Sequence, residues 1–394
     1  MTSKRLPWHT AENAISLALE GRRARGLPVV DLTESNPTAI GLPLPDFHAA
    51  DLLDALANPA SLRYDPQPKG LRAAREAVAR YYADKQVTID PERIVLTAST
   101  SEAYALLFKL LCDPGDQVLV PEPSYPLFGY LTALESVQAV PYSLAFDGEW
   151  HTPAESIWAA LDAAPRARAI LVVNPGNPTG AFLKRDERDL LARICRERGL
   201  ALISDEVFAD FAAAPDPRRV ETVAAFADVL SFSLSGLSKV AGLPQLKLGW
   251  CAVSGPPAEV TEALAGLELI ADTYLSVGAP VQHAAHVLLE SRRPFQQALS
   301  MRLATNRAAL LAARPADAAW DVLPTEGGWS AILSVPRSTT EEDWTLRLLD
   351  RGVLVHPGYF FDFPSGAHLV LSLLLAEGPF AHACTTIAEV LRPR

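Results

Sequence analysis

The residues best suited to chemistry begin with a lysine that follows an apolar run. Lys239 lies in the stretch SGLSKVAGLPQLKLGW, residues 235–250, in a loop of serine and glycine predicted to follow the strand VLSFSLS. Three small residues precede the lysine and let the backbone approach a ligand closely: Ser235, Gly236 and Ser238. A second cation, Lys247, could share an anion such as a phosphate with Lys239. A lone lysine is usually a solvated surface charge, but a neighbouring cation lowers its pKa and favours attack on an aldehyde.

A carboxylate and a turn follow two other apolar runs. Asp205 ends the run in ALISDEVFADF, where it could be a helix N-cap or a loop carboxylate. Beside a pyridine nitrogen, the same carboxylate would keep the nitrogen protonated and make the ring a stronger electron sink. The stretch VVNPGNPTG, residues 172–180, is a turn rich in proline and glycine. The amide of Asn177 within it could donate to a ring oxygen.

Short apolar runs alternate with amphipathic stretches between about residues 90 and 255. The runs are RIVLTAS, QVLVPEP, AVPYSLAF, RAILVVNP, ALISDE, VLSFSLS and LGWCAVS. Their length and their content of valine, isoleucine and leucine predict strands. Helices are predicted over SEAYALLFKLL and KRDERDLLARICRERG, the second ending at Gly199. This alternation predicts an α/β fold with a mostly parallel sheet covered by helices on both faces, a three-layer large domain.

The pattern changes after a long helix predicted near 294–313. The stretches GGWSAILSVP, GVLVHPG and HLVLSLLL predict a second, smaller sheet, with the helix EEDWTLRLLDRG between them. We therefore expect a large domain over 48–285 and a smaller α+β domain over 286–394. Residues 1–47 are predicted to pack on the small domain. Ligands of open parallel sheets bind beyond the carboxyl ends of the strands, which is where the unusual residues fall.

Composition narrows the class of protein. The 394 residues are 49% hydrophobic and 21% charged, which is typical of a globular chain. The net charge of −11 argues against nucleic acid or an anionic membrane as a partner. The start of the chain, MTSKRLPWHT, has no apolar core, so no signal peptide is predicted. Four cysteines without a CxxC pair are typical of a reduced protein and not of a zinc site, so we expect a cytoplasmic location.

Taken together, the motifs resemble those of the fold-type I, class I/II aminotransferases. The lysine motif at 238–239, NPTG at 177–180 and SDEVF at 204–208 match that family in order and spacing. The resemblance extends from SNP at 35–37 to HPG at 356–358, nearly the whole chain. Each motif alone is moderately specific, and their common order favours the family strongly.

The resemblance implies pyridoxal 5′-phosphate as the cofactor, held as an imine by Lys239 with Asp205 on its ring nitrogen. Tyr125 would stack on the ring, although it could be an interface aromatic instead. Tyr64 would reach the phosphate of a neighbouring subunit, which implies a homodimer with composite active sites. The other implied cofactor-binding residues are Ser99, Thr100, Ser101, Asn177, Phe208, Ser235, Ser238 and Lys247. The first three would cradle the phosphate at a helix N-terminus, where an ordinary N-cap is compatible with the same role.

Three positions depart from the family's pattern. Lys247 stands where an arginine is usual, which keeps the charge but loses the bidentate fork. Phe208 replaces a tyrosine that donates to the ring's phenolic oxygen, a loss that favours a protonated imine at higher pH. Val370 stands where an arginine usually binds the α-carboxylate of the substrate. Four conceivable replacement cations are Arg63, Lys69, His356 and His368.

Three functions are compatible with these observations. The first is an aminotransferase, in which Lys239 moves a proton between the substrate carbon and the cofactor. The second is a lyase, replacement enzyme or cyclase on the same fold, which Val370 favours because it indicates an atypical substrate. The third is a cofactor-binding regulator, which is disfavoured because the 47 residues before the core are too few for a DNA-binding domain and the chain is acidic.

We expect Lys239→Ala to abolish turnover and the absorbance of the imine, because no other amine would be placed to bond the cofactor covalently. Absorbance spectra and assays of the purified variant check this. A variant that kept both properties would contradict the assignment of Lys239.

Overall fold

The computed structural model describes residues 3–6, 12–42, 53–54 and 57–392. Its α-helices include α1 (Ala14–Ala24), α2 (Arg72–Ala83), α3 (Thr100–Leu111), α4 (Phe128–Leu134), α5 (Ala154–Ala163), α6 (Arg185–Arg198), α7 (Leu237–Val240), α8 (Pro257–Tyr274), α9 (Ala279–Glu290), α10 (Arg292–Ala313), α11 (Glu341–Asp350) and α12 (Glu377–Val390). Among the described residues, no helix combines the length and apolar character that a membrane crossing needs.

The strands form one large sheet and several smaller ones. They are β1 (Val30–Asp31), β2 (Ile94–Thr97), β3 (Gln117–Glu122), β4 (Gln138–Ser143), β5 (Ala145–Phe146), β6 (Trp150–His151), β7 (Ala167–Val173), β8 (Ala201–Asp205), β9 (Ser231–Gly236), β10 (Gly249–Ser254), β11 (Asp321–Leu323), β12 (Ser330–Ser334), β13 (Val353–Leu354), β14 (His356–Pro357) and β15 (His368–Ser372). The large sheet has seven strands in the order β2-β10-β9-β8-β7-β3-β4. Only β10 runs antiparallel to its neighbours, so the predicted α/β fold with a mostly parallel sheet is confirmed.

Both faces of the large sheet are buried, as its continuous apolar strands require. In β2, Val95 packs with residues of α3 and α8, whereas Ile94 and Leu96 pack with α2 and α9 on the other face. Helices α5 and α6 cover the far half of the second face around Ile170 and Leu202. Because side chains of a strand alternate between faces, strands such as β2, β7 and β8 contribute to two apolar clusters. These clusters hold the carboxyl ends of β7, β8 and β9 in place.

The second sheet is antiparallel, in the order β11-β12-β15-β14. Helices α10, α11 and α12 pack against it around Leu299, Leu348 and Phe380, each with no exposed surface. The early strand β1 pairs in parallel with β13, which joins the N-terminal part of the chain to this unit. The long helix predicted near 294–313 is α10, which begins two residues earlier, at Arg292.

The predicted division into 1–47, 48–285 and 286–394 fits these positions but stays a prediction. The seven-stranded sheet lies within 48–285 and the four-stranded sheet within 286–394. The boundary between residues 47 and 48 lies outside the described residues, as do residues 393–394.

Candidate active site

The carboxyl ends of three adjacent parallel strands bring the candidate residues to one edge of the large sheet. Val173, at the end of β7, is opposite Asp205 at the end of β8, and Asp205 is opposite Leu234 in β9. The turn that contains Asn177 follows β7, and Lys239 follows β9. The register therefore brings the segments that carry these three residues to the same edge of the sheet.

Lys239 is held by one turn of helix and not by the loop that the serines and glycines predicted. It is the third residue of α7, in which Leu237 and Val240 are fully buried. The apolar side chains three positions apart give the short helix a buried face, which explains why it forms despite its small residues. The Nζ atom lies 3.4 Å from the carbonyl oxygen of Ser35 and 4.7 Å from the centroid of the Trp329 ring.

Burial lowers the pKa of Lys239 from 10.5 to about 8. Desolvation of the ammonium form is the main cause, and the charges of Asp205 and Glu34 oppose it. A lysine with a pKa this close to neutrality has a substantial neutral fraction at physiological pH. The amine is therefore suited to nucleophilic attack and to proton transfer.

Asp205 is buried, and its orientation is fixed by two donors. The hydroxyl of Tyr104 donates to Oδ2 at 2.9 Å, and the N–H of Val207 donates to Oδ1 at 3.2 Å. Desolvation raises the pKa of Asp205 to about 6, against the opposing effects of Tyr104, Val207 and Lys239. A carboxyl group in this state gains strongly from a positively charged partner. A protonated pyridine nitrogen would be such a partner.

The segment before α3 provides a helix N-terminus at the same edge of the sheet. Ser99 is the N-cap, and its Oγ accepts the N–H of Glu102 at 3.2 Å, so the ordinary cap foreseen from the sequence does form. The N–H groups of Thr100 and Ser101 precede the first intrahelical donor, Ala103, and so have no partner within the helix. Gly249 allows the close approach, since a Cβ there would lie 3.1 Å from the backbone carbon of Ser99. This N-terminus is suited to an anion.

Other candidate phosphate ligands differ in burial. Ser235 is 1% exposed, and its Oγ has no hydrogen-bond partner among the described residues. Ser238 is half-buried in α7. Lys247 is exposed, adopts φ +53° at the end of a 3₁₀ turn, and forms no ion pair within the described ranges. A buried hydroxyl without a partner is costly, so a ligand oxygen at Ser235 would relieve a real deficit.

Three further residues predicted to bind the cofactor are Asn177, Tyr125 and Phe208. Asn177 is half-buried in the turn after β7. Tyr125 is 42% exposed, and burial, with a smaller effect of the Asp205 charge, raises its pKa. Phe208 is buried with its ring centroid 5.7 Å from Lys239 Nζ.

Tyr64 lies away from this cluster in its own subunit. It is 86% exposed, and its neighbour Leu62 is 91% exposed. Tyr64 lines a separate hollow of about 220 Å³ together with Tyr274 and Gln282. Among the described residues, no contact links this exposed side chain to the site of its own chain.

Val370 lies in an apolar cluster with Trp150, Ile332 and Phe361, and is 2% exposed. In the sheet it is opposite Ile332 on one side and His356 on the other. Because Leu369 and Leu371 belong to the core on the opposite face, β15 is buried on both sides.

Three of the four conceivable replacement cations are unsuited to bind a carboxylate. Burial lowers the pKa of His368 to about 4 and lowers that of His356, so both rings are neutral at pH 7. Lys69 donates to Glu92 at 2.9 Å and is already paired. Arg63 is exposed next to Tyr64 and stays available.

Two residues of the site had not been singled out from the sequence. Tyr104 is buried on α3. A buried hydroxyl needs a hydrogen-bond partner, and that need is the signal that could have indicated a polar neighbour. Trp329 follows a pair of glycines at the start of β12, and nothing in its local pattern indicated proximity to Lys239, 90 positions earlier. Only the packing of the second sheet against the first brings them together.

The family description "Aminotransferase class I and II" matches residues 28–373, most of the chain. The chain belongs to the class I and II aminotransferases. The predicted family is therefore confirmed, and with it the pyridoxal phosphate dependence that the family shares. The protein moves an amino group between an amino substrate and an oxo substrate.

Curated relatives and solved structures agree with this membership. An alanine aminotransferase of Mycobacterium tuberculosis is 28% identical over 432 aligned positions, covering 99% of this chain and 97% of the relative. A glutamate–pyruvate aminotransferase of Haemophilus influenzae is 30% identical, covering 71% of this chain and 66% of the relative. An Escherichia coli aminotransferase structure superposes with a TM-score of 0.86 at 24% identity, covering 99% of this chain and 98% of that one, which shows a common fold.

We expect the Lys239 amine of the cofactor-free protein to react with a small uncharged aldehyde with a midpoint near pH 8, because burial lowers its pKa to about 8. The rate should rise with pH through that value as the neutral amine forms. Asp205→Asn removes a charge that favours the ammonium form, so its midpoint should move to lower pH. Reductive labelling with mass spectrometry, and Lys239→Ala as the blank, measures both. Midpoints near the ordinary lysine value of 10.5 would contradict the effect of burial.

Proposed function

We propose that Lys239 forms the imine with pyridoxal phosphate and, once released by the amino substrate, carries the proton during amino transfer. The observation that carries this proposal is the half-buried Lys239 amine, with a pKa lowered to about 8, at the strand edge that also holds Asp205. The carbonyl of Ser35 at 3.4 Å gives the freed ammonium an acceptor. A group with a pKa near the working pH can both take and return a proton.

Asp205 is proposed to pair with the ring nitrogen of the cofactor. When bound, pyridoxal phosphate withdraws electron density from the substrate carbon and so makes its C–H bond acidic. The carboxylate keeps the ring nitrogen protonated, which strengthens that effect. Tyr104 keeps Asp205 Oδ2 in position, so the charge does not depend on a mobile side chain. The raised pKa of Asp205 records the cost of burying it without its positive partner.

The phosphate is proposed to bind at the N-terminus of α3. Two N–H groups without a partner among the described residues, those of Thr100 and Ser101, lie there with the Ser99 cap. The hydroxyl of Ser235, buried and without a partner among the described residues, would supply a further donor. The remaining proposed contacts are Ser238 and Lys247 at the phosphate, Asn177 at a ring oxygen, Tyr125 stacked on the ring, Phe208 next to the phenolic oxygen, and Tyr64 from a neighbouring subunit.

The amino substrate is proposed to place no carboxylate next to Val370. That side chain is 2% exposed and packs among Trp150, Ile332 and Phe361, so it presents an apolar surface. A carboxylate left without a charged partner in a dry pocket loses on the order of 2–5 kcal/mol. This corresponds to about 30- to 5,000-fold in affinity. The part of the substrate placed there should be apolar or aromatic.

The relatives are alanine and glutamate–pyruvate aminotransferases, which favour alanine, glutamate and pyruvate as substrates, and all three carry a carboxylate. Those relatives share between 28% and 30% of their residues with this chain, and such identity does not fix a substrate. For alanine or glutamate to be used here, another cation would have to replace the usual arginine. The neutral rings of His356 and His368 do not provide one.

We expect the wild-type holoenzyme to convert apolar amines that lack an α-carboxylate faster than alanine or glutamate. Val370→Arg should increase the efficiency toward alanine and glutamate and decrease it toward the amines, because it provides a charged partner and removes the apolar wall. Single-turnover absorbance, which follows conversion of the cofactor to its amine form, measures this. Release of ammonia with the aldehyde form retained would mark a lyase instead.

Val370→Leu is the matched control, since it keeps the wall apolar and should not gain activity toward alanine. If the wild type already uses alanine or glutamate efficiently and Val370→Arg only impairs it, a replacement cation exists. Arg63→Gln then tests the cation that stays available. Thermal unfolding of each variant separates a folding defect from a change in specificity.

A homodimer is proposed because Leu62 and Tyr64 are left 91% and 86% exposed on a single chain. We expect light scattering to give twice the chain mass of 42.5 kDa. Inactive Lys239→Ala and impaired Tyr64→Ala subunits should regain activity when mixed, since each mixed dimer has one intact composite site. A fully active monomer, or no gain on mixing, would contradict shared sites.

The cytoplasm is the proposed location. All four cysteines are free thiols, which fits a reducing compartment. The net charge of −11 supports the further proposal that neither nucleic acid nor an anionic membrane is a main partner.

A further inference from the structure

Trp329 is a buried aromatic residue whose hydrogen-bond donor has no acceptor in the described part of the chain. The side chain is 4% exposed, and its Nε1–H finds no partner among the described residues. A buried donor of this kind is destabilising unless something accepts its proton. Tryptophan N–H groups usually find a partner when they are buried. The position of Trp329 shows what the missing acceptor would be.

The indole ring lies next to Lys239 and packs on two aromatic residues that follow β8. Lys239 Nζ is 4.7 Å from its centroid, and the ring meets Phe208 edge-to-face at 5.1 Å. Phe211 packs on it in the same way at 5.2 Å. These contacts fix the plane of the indole beside the amine. The ring that carries the donor is therefore part of the immediate surroundings of any group bonded to Lys239.

Pyridoxal phosphate carries its phenolic oxygen on the ring carbon next to the one that bears the aldehyde. When the aldehyde carbon is bonded to Lys239 Nζ, that oxygen lies beside the imine nitrogen. The oxygen is anionic at neutral pH and is a strong acceptor. Two aromatic side chains of the described structure face Nζ, and of these Phe208 has no donor and Trp329 has one.

We propose that Trp329 Nε1–H donates a hydrogen bond to the phenolic oxygen of the cofactor and so sets the protonation of the imine. The proposal rests on the imine at Lys239 proposed above. The donor withdraws charge from the oxygen, and the oxygen then stabilises the imine proton less. The hydrogen bond therefore lowers the pKa of the imine. It would also satisfy the buried indole N–H.

The second possible effect of the indole has the opposite sign. An aromatic face above a cation stabilises it, so the ring itself would raise the pKa of the imine. Replacing the indole by a phenyl ring weakens that effect and would lower the pKa. Loss of the hydrogen bond would raise it. The direction of the change therefore distinguishes the two roles.

The experiment is a spectrophotometric pH titration of the imine in the substrate-free holoenzyme. We expect Trp329→Phe to raise the imine pKa by on the order of one pH unit and to weaken cofactor binding. Trp320→Phe is the matched control, because Trp320 is also buried, at 2% exposed, belongs to the same core cluster and has an Nε1 without a partner among the described residues. That control should leave the titration unchanged.

Phe208→Tyr provides a rescue, since it introduces a hydroxyl next to Lys239. In the Trp329→Phe background it should return the imine pKa toward the wild-type value. In the wild type it should change the pKa much less, because the oxygen already has a donor. An unchanged or lowered pKa in Trp329→Phe, or a large decrease in Phe208→Tyr alone, would overturn the proposal and indicate that the indole N–H faces substrate or water.

A variant that fails to retain the cofactor is still informative. If Trp329→Phe binds pyridoxal phosphate too weakly to titrate, the double variant with Phe208→Tyr should regain both binding and the imine band. A folded double variant that regains neither would contradict the hydrogen bond. If Lys239 does not form the imine at all, Lys239→Ala would keep the imine absorbance band. That result separates failure of the proposed imine from failure of the Trp329 hydrogen bond.

Discussion

The site depends on the burial of two ionisable groups, Lys239 and Asp205, at one edge of a parallel sheet. Taking an amine and a carboxyl group out of water disfavours the charged form of each. The lysine pKa falls to about 8, and the aspartate pKa rises to about 6. A pyridine aldehyde would use both groups. The partly neutral amine would bond to the aldehyde carbon, and the carboxyl group would gain a positive partner in the protonated ring nitrogen.

Burying these two groups is destabilising, and the apolar clusters on both faces of the sheet provide the stability that offsets it. Strands β7, β8 and β9 are buried along most of their length, and their side chains divide between the two faces. Leu237 and Val240 extend the apolar packing past the end of β9 and fix the helical turn that contains Lys239. Tyr104 belongs to a cluster and also donates to Asp205, so packing and polarity are coupled in one residue.

The second sheet reaches the site through one short segment, Glu326 to Trp329. The carboxylate of Glu326 pairs with Lys184 and lies 3.3 Å from Arg219 Nε, and its Oε2 accepts the N–H of Phe182. Gly180 approaches the same segment so closely that a Cβ there would collide with the carbonyl oxygen of Gly327. These contacts hold the indole of Trp329 against Lys239. A single anchored loop thus connects the packing of the smaller sheet to the electrostatics of the lysine.

Much of this protein was determined by sequence alone. Alternating apolar runs predicted the parallel sheet, since buried strands must be apolar on both faces. The order of the motifs around Asn177, Asp205 and Lys239 predicted the family, because parallel strands bring successive carboxyl ends to one edge. The sequence wrongly predicted a loop at Lys239, where packing of Leu237 and Val240 favours a helical turn.

Only the tertiary structure decided the contacts between distant residues and the charge states that follow from them. Tyr104 and Asp205 are 101 positions apart, and no local pattern relates them. The neutrality of His368 results from its burial beneath Phe363, whose ring stacks on it at 4.3 Å. The local sequence pattern shows where apolar side chains fall along the chain and where a strand ends. Desolvation and hydrogen bonding depend on three-dimensional neighbours, so they appear only when the two sheets are packed together.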